Sequence, residues 1–501
     1  MNTSREQSEN WPSEMDLIDD HLRKGERQFA QEKLKILLPK IKKGTRKSYA
    51  RFAELLRRSG LASKSLGLLF PYVRGQGRKK SSATLYEKEE YAAALIALKA
   101  TNEGEDLLLS LTEEGSEKAY LFLGLSCMSK WDYAQALKYL DVFLTFKNTS
   151  SYDHFIGLTN QLACLVTLIS NTETKKINLL ETKIEKAISF ARKNHFDLLL
   201  SNLLEIQSQF FLKTSQVDDS KLSLEKASTL LKDNDSKENL FIEKWKLLSQ
   251  MPTIHQKSWS SWKEKILLLQ KKALKLGHAE TVRDIDFYLG FENENLLHKV
   301  YFGTPFEVFR ERIKEKIGPP AFFLFNISKD PATFTFDYKK WSLRAGSKTM
   351  NLLKGLCDDF YRPINRYGLF AFVYPGEFFN PETSFNKLNV ALTRTRQWLQ
   401  KNKIPLIIIE KSGIFYLEGS VEIKIYKDDR EKQMQERKVD FLFESAKKLK
   451  IFFGLIRFKA TQAHNVFNND QLKTTQRLLK KLCEEKMLFK EGLGKNTFYH
   501  F

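Results

Sequence analysis

Cysteine is scarce in this sequence, and the few cysteines show no clustering. The 501-residue chain carries four, which lie far apart at Cys127, Cys164, Cys357 and Cys483. Metal sites need clustered ligands, and disulfide scaffolds are small and rich in cysteine, so the sequence predicts neither. The spacing is typical of reduced, mostly buried thiols in a cytosolic protein.

Long apolar runs are also lacking. No stretch approaches the ~20 consecutive apolar residues that are needed to span a bilayer, so we expect no membrane association. The segment Met1–Gln7 contains no apolar run, which predicts that the chain carries no signal peptide.

Catalytic and cofactor-binding patterns are absent as well. The eight histidines form no His-x3-His or His-Glu pair, and no nucleophile-elbow, kinase or dinucleotide fingerprint is present. Asp284, Asp286, Glu292 and Glu294 form an acidic cluster, which internal ion pairs or a solvated loop explain better than a metal. Gly492–Lys495 lacks the Gly-x4-Gly-Lys-Ser/Thr spacing of a phosphate loop. We predict that this segment forms the turn of a hairpin. We therefore expect no catalytic residues, no cofactor and no metal.

The chain has a strong positive charge. It carries 82 Lys and Arg against 61 Asp and Glu, a formal net charge of +21. Residues 331–501 hold 31 basic and 18 acidic side chains, or +13 of that excess. A basic protein gains affinity for polyanions through counterion release, but a lysine-rich composition can also mark only a soluble surface.

Residues 1–316 are predicted to be helical. Apolar residues recur there at three- and four-residue spacing, as at Ile177, Leu180 and Ile184, and no strand pattern competes. Ala119–Phe146 resembles a tetratricopeptide repeat, because the small residues Gly124 and Ala136 stand where two helices of a pair approach closely. Residues 49–73 and 203–231 look like weaker copies.

The tetratricopeptide resemblance implies an α-solenoid whose concave face binds a protein or peptide partner. The alternative is a plain helical bundle without a ligand.

Residues 330–424 predict short strands, three helices and a closing β-hairpin. This segment resembles the OmpR/PhoB-type winged helix, a DNA-binding domain, in four stretches that occur in order: Lys348–Leu353, Ile364–Tyr374, Leu392–Leu399 and Ser412–Leu417. The family's usual receiver domain has no counterpart here. Phe415 stands where the family often has glycine, and we expect it to alter the wing.

A helical wheel gives the third helix of this segment a buried and an outward face. At 100° per residue, Leu388, Leu392, Thr395 and Leu399 share the inward sector. The outward side holds Asn386, Val390, Thr393 and Gln397, with Arg394 and Arg396 on its two shoulders. The resemblance implies that this face lies in a DNA major groove, where amides pair with adenine, Val390 touches a thymine methyl and the arginines hold phosphates. Lys411, near the wing turn, is expected to reach a neighbouring phosphate or the minor groove.

Residues 439–501 predict a second, generic winged helix after a charged linker at 425–438. The wheel of its long helix places Thr475, Leu479, Leu482 and Cys483 inward. The predicted DNA contacts of this segment are Lys473, Thr474, Arg477, Lys480, Lys481 and the hairpin residue Lys495.

The sequence thus predicts a mainly α protein, with an N-terminal tetratricopeptide-like α-solenoid followed by two small α+β winged-helix domains. The predicted function is a bacterial transcriptional regulator that binds double-stranded DNA, and whose helical repeats sense or recruit a protein or peptide. We expect it in the cytoplasm, associated with the nucleoid. The alternative is an adaptor whose winged helices bind proteins. The oligomeric state stays open.

Overall fold

The fold is seen in a computed structural model, which divides into two compact units. The first comprises residues 1–325 and 331–425, and the second comprises residues 326–330 and 426–501. The structure describes residues 11–41, 46–75, 82–147, 150–170, 174–231, 237–252, 256–304, 313, 325–326, 332–336, 339–344, 346–381, 383–404, 406–411, 413–419, 425–426, 445, 449, 452–453, 456–467, 472–484, 488–492 and 497–500. Helix dominates these residues, so the predicted mainly α class is confirmed.

The first unit begins with a run of helices that we call the helical array. Its helices are α1 (Trp11–Arg23), α2 (Arg27–Ile41), α3 (Tyr49–Arg58), α4 (Ala62–Val73), α5 (Leu85–Ala97), α6 (Thr101–Glu113), α7 (Glu117–Ser129), α8 (Tyr133–Phe143), α9 (Ser151–Leu168), α10 (Thr174–Lys193), α11 (Asp197–Lys213), α12 (Val217–Leu230), α13 (Lys237–Leu248), α14 (Trp259–Lys275), α15 (Ala279–Leu289) and α16 (Glu294–Gly303).

Side-chain caps explain where several of these helices begin. The Thr84 hydroxyl accepts a hydrogen bond from the backbone N–H of Glu87, whose carboxylate accepts from the Thr84 N–H in return, at the start of α5. Ser116 and Asp132 cap α7 and α8 in the same manner, by accepting from backbone N–H groups. Such caps satisfy donors that have no partner within the helix.

Helices α7 and α8 form a close antiparallel pair. A Cβ atom added to Gly124 would lie 2.9 Å from the Leu140 side chain, and the Ala136 side chain is fully buried. The close approach expected at these small residues is therefore present.

The odd-numbered helices form one row within the array, which we call its inner side. From α1 to α15, each packs against the next odd-numbered helix, and α11 also packs against α1. These helices carry charged side chains that pair with one another on this side. We call the following set the inner charge network: Asp19, Arg51, Glu54, Arg57, Arg58, Glu90, Lys118 and Asp153.

Ion pairs within the inner charge network link α1, α3, α5, α7 and α9. The Asp19 carboxylate accepts from the guanidinium of Arg58 at 2.6 Å, and the Glu90 carboxylate accepts from Arg57 at 2.8 Å. Lys118 Nζ lies 3.7 Å from Glu90 and 3.4 Å from Asp153. Since a buried charge without a partner is strongly destabilising, these pairs fix how the helices sit against one another.

The remainder of the first unit is a segment that we call the strand–helix module, residues 332–419. Its elements are β2 (Ala332–Phe336), β3 (Lys339–Leu343), α17 (Lys348–Cys357), β4 (Ile364–Asn365), α18 (Arg366–Val373), α19 (Ser384–Lys401), β5 (Leu406–Lys411) and β6 (Ile414–Gly419). Strands β2 and β3 pair antiparallel, and β4, β6 and β5 form a second sheet in that order. The short strands β1 (Phe325–Asn326) and β7 (Ile425–Tyr426) fall at the division between the two units.

Phe415 belongs to the core of the strand–helix module. It lies on β6 opposite Ile364 and Glu410, and its side chain is fully buried together with those of Leu352, Leu369 and Phe370. Phe415 therefore contributes to the packed interior of the module, and its effect on the wing stays a prediction.

The second unit contains α20 (Ala460–Phe467), α21 (Leu472–Glu484) and the antiparallel strands β8 (Phe489–Glu491) and β9 (Phe498–His500). Phe458 bridges to Tyr499 on β9, and both side chains are buried with Leu479 and Leu482. Residues 427–438 of the predicted linker lie outside the described residues.

The inner charge network predicts a pH dependence of stability. Although burial raises the pKa of Glu54, Lys118, Arg51 and Arg58 lower it to about 2, from an ordinary 4.5. The stability that this carboxylate contributes is therefore complete above pH 4.5 and is lost as the pH falls towards 2. Glu54→Gln is expected to lower the free energy of unfolding by about 3 kcal/mol at neutral pH, with a difference that vanishes in acid.

Urea unfolding of the wild type and the variant at a series of pH values measures this difference. Glu113→Gln is the matched control, because Glu113 is exposed at the end of α6 and its replacement should change little at any pH. A Glu54→Gln cost that does not depend on pH would contradict the ionic role of this carboxylate.

Candidate nucleic-acid interface

Helix α19 has one buried and one exposed face. Leu388, Leu392, Thr395 and Leu399 are each at most 2% exposed, and the helix packs against α17 and α18. The helix ends at Lys401, two residues beyond the predicted end at Leu399. Its apolar spacing of three and four residues accounts for this burial.

The outward face of α19 is polar and exposed, as the wheel predicted. Asn386, Val390, Thr393 and Gln397 are all exposed, Val390 to 49%. The Thr393 hydroxyl donates to the backbone carbonyl of Asn389 at 2.9 Å, so this hydroxyl keeps its lone pairs for an incoming donor.

The two shoulder arginines differ in their surroundings. Arg394 is exposed and lies within electrostatic range of the Tyr374 hydroxyl, which itself donates to the backbone carbonyl of Lys387 at 2.9 Å. Arg396 donates from Nη2 to the carbonyl of Ile408 on β5 at 3.2 Å. Arg396 thus joins the helix to the hairpin, a contact that the wheel did not predict, and Arg394 is the more available cation.

Lys411 is the last residue of β5, at the turn of the β5–β6 hairpin. It pairs with Ile414 across the strands, and Gly413 between them takes a φ of 76°, which glycine adopts without strain. The Lys411 side chain is exposed. A hairpin turn with an exposed cation suits contact with a second polyanion segment.

Two further lysines flank Arg394 and were missed at the sequence level. Lys387 and Lys401 are exposed on α19, and Lys387 pairs with Glu377 at 2.8 Å. On a helical wheel with 100° per residue, both lysines lie beside Arg394. The wheel could therefore have identified them.

In the second unit, α21 presents a cationic face. Arg477, Lys480 and Lys481 are exposed, while Thr475, Leu479 and Leu482 are fully buried and Cys483 is partly buried. The side chains of Lys473 and Thr474, and the whole of Lys495, lie outside the described residues.

The strand–helix module is attached to the helical array by a buried ion pair. Arg283 on α15 is 0% exposed and donates from Nη2 to both carboxylate oxygens of Asp359, at 2.8 and 2.6 Å. Beside this pair, the Tyr361 hydroxyl donates to Asp286 at 2.8 Å. Burial raises the pKa of Asp359, and the Arg283 charge opposes that rise. We call these four side chains the junction.

A second contact joins the same two parts of the first unit. Arg74 pairs with Glu103 at 2.8 Å and lies 3.7 Å above the centre of the Phe378 ring. The backbone N–H of Phe379 donates to Glu103 at 3.4 Å. With contacts at both ends of α18, the module has one fixed orientation on the array.

The acidic cluster near α15 is held by internal cations. Asp284 pairs with Lys244 at 2.5 Å, and Glu292 pairs with Lys263 at 2.6 Å. Asp286 pairs with Lys299 at 2.5 Å, so of the two explanations offered for this cluster, internal ion pairs hold for these three carboxylates. The Glu294 side chain is not among those described.

Neither a metal site nor a membrane-spanning helix is present among the described residues. Within the described ranges, no group of three or more His, Cys, Asp or Glu side chains is placed to hold a metal ion. Among the same residues, no helix is both long and apolar enough to cross a membrane.

Comparison with known proteins gives no match to any family model, curated protein sequence or solved structure. The function must therefore be inferred from the residues and their geometry.

The junction predicts an asymmetric response to mutation. Arg283→Met leaves Asp359 as a buried carboxylate without its partner and should lower the free energy of unfolding of the first unit by about 3 kcal/mol. The double variant Arg283→Met/Asp359→Asn removes both charges and should recover much of that loss. Urea unfolding measures both.

Lys221→Met serves as the control, since Lys221 pairs with an Asp218 side chain that is 98% exposed, and such pairs contribute little. If the double variant is no more stable than Arg283→Met, the two charges are not coupled as described.

Proposed function

We propose that this protein is a bacterial transcriptional regulator that binds double-stranded DNA through α19. The observation that carries the proposal is the exposed polar face of α19 with Arg394 at its edge, on a helix whose opposite face is fully packed. A helix anchored in this way can enter a major groove without exposing its apolar side.

The proposal treats the strand–helix module as an OmpR/PhoB-like winged helix. Its support is the order of the elements, in which α17, α18 and α19 precede the β5–β6 hairpin. In this arrangement α19 is the recognition helix, and Lys411 at the hairpin turn contacts the flanking phosphate or minor groove.

Each outward residue of α19 has a proposed role. The amides of Asn386 and Gln397 can pair with adenine by accepting from its N6 amino group and donating to N7, and the Thr393 hydroxyl can accept from an adenine or cytosine amino group. Val390 suits a thymine methyl group. Arg394 neutralises a phosphate, which sets the position of the helix and does not read sequence.

The second unit is proposed to be another winged helix that grips the duplex. The exposed Arg477, Lys480 and Lys481 on α21 support phosphate contacts there. Lys473, Thr474 and Lys495 remain predictions of the same kind, and so does a role for Arg396 at a phosphate beyond its bond to Ile408.

The helical array is proposed to be a tetratricopeptide-like solenoid that recruits a protein or peptide partner. The close α7–α8 pair at Gly124 and the inner row of odd-numbered helices support this assignment. The proposal includes no catalytic step, cofactor or metal, and it places the protein on the nucleoid in the cytoplasm.

An adaptor that binds only proteins is the second candidate. The observation that favours it is exposed apolar surface on the same module, where Val390 is 49%, Ile407 66% and Ile414 42% exposed. Protein contacts of this kind respond weakly to salt, whereas contacts with DNA phosphates weaken steeply.

Arg394→Ala is expected to weaken binding to duplexes of every sequence and to reduce the log–log dependence on salt by about one unit, because one phosphate contact is lost. Gln397→Ala should instead relax the preference at a single base pair, by about 1–3 kcal/mol. Fluorescence anisotropy over a range of salt concentrations and selection from a random duplex pool measure the two effects.

Arg192→Ala is the matched control, because Arg192 is exposed in the last turn of α10 within the array. Equal effects of Arg394→Ala and Arg192→Ala would reject α19 as the DNA-binding face and would favour the adaptor.

A further inference from the structure

The inner side of the helical array does not offer an open groove at its first five odd-numbered helices. The inner charge network joins these helices, and Tyr152 lies between Arg23 at 4.4 Å and Arg58 at 5.6 Å from its ring centre. Helix α1 also contacts α11, the next odd-numbered helix after this stretch. A peptide entering here would have to separate buried ion pairs, which costs several kcal/mol for each.

A shallow groove, open to solvent, lies between α13 and α14. It has a volume of about 430 Å³. Its floor is formed by Leu247, Leu268 and Leu269.

The leucines that line this groove differ in exposure. Leu269 is 5% exposed and belongs to the core, whereas Leu268 is 59% exposed. An exposed apolar patch bordered by polar side chains is typical of an interaction site.

The rim of the groove is positively charged. It carries Lys246, Lys265 and Lys272 against one carboxylate, Glu243, which pairs with Lys272 at 2.6 Å. Because both partners of that pair are 44% exposed, an incoming carboxylate can take the place of Glu243 at little cost.

We infer that this groove binds an acidic amphipathic helix of a partner protein, which inserts apolar side chains onto the leucine floor and places carboxylates at the lysine rim. The inference rests on the proposed function, since it names the partner that the array would recruit. An apolar groove between two helices can bind a third, amphipathic helix along its length. A nucleic acid would use the lysines but would leave the leucines in water, so charge and apolar surface together favour the peptide.

The test uses the full-length protein and a fluorescent synthetic peptide with Leu and Phe at positions i, i+3, i+4 and i+7 and Glu elsewhere. Leu268→Asn should weaken peptide binding about tenfold, because it removes most of one leucine's apolar contact. The same peptide with Gln in place of Glu should also bind more weakly to the wild type. Leu222→Asn is the matched control, since Leu222 is 48% exposed on α12, away from the groove.

Duplex DNA and vesicles of anionic phospholipid are tested as competitors. Failure of the acidic peptide to bind, equal binding by Leu268→Asn and Leu222→Asn, or displacement by either competitor would overturn the inference. Failure of this inference can be distinguished from failure of the proposed function. Leu268→Asn should keep full DNA affinity, whereas Arg394→Ala should lose DNA affinity and keep the peptide.

Discussion

The requirement that buried charges be paired determines how this chain is assembled. In the inner charge network, Asp19, Glu54 and Glu90 are nearly or fully buried and are matched by cations on neighbouring helices. The same rule holds at the far end of the array, where Lys244 is 2% exposed and pairs with Asp284. A helix that shifted along its neighbour would leave such a charge without its partner, so the ionic contacts define one packing among many that apolar contacts alone would allow.

The same requirement ties the strand–helix module to the array. Arg283 is fully buried on α15, and the carboxylate that compensates it belongs to Asp359, which lies in the module. The buried charge of Arg283 in the array is therefore balanced by a side chain from the segment proposed to bind DNA. This attachment leaves the polar face of α19 exposed. Under the proposed function, this attachment would hold a partner of the array at a set distance from the DNA.

Local patterns in the sequence predicted local structure well. The burial of Leu388, Leu392 and Leu399 follows from helical spacing alone, and Gly124 with Ala136 marked a close helix pair. The junction was not predictable, because Arg283 and Asp359 are far apart in the sequence and either residue alone reads as an ordinary surface charge. The bond from Arg396 to Ile408 and the burial of Phe415 were not predictable for the same reason. Both depend on how the hairpin packs against the helices. Ion pairing was one of two explanations that the sequence offered for Asp284, and its partner Lys244 could not be named from spacing.

In the proposed function, the outward face of α19 touches DNA and the helical array does not. Site-specific photo-crosslinking tests it most directly, with benzoylphenylalanine in place of Gln397 in one variant and in place of the exposed Glu225 on α12 in another. If α19 binds DNA, irradiation with a mixed-sequence duplex should link DNA to the protein from position 397 and not from position 225. Crosslinks from position 397 to protein alone, or equal yields of DNA adduct from both positions, would contradict it.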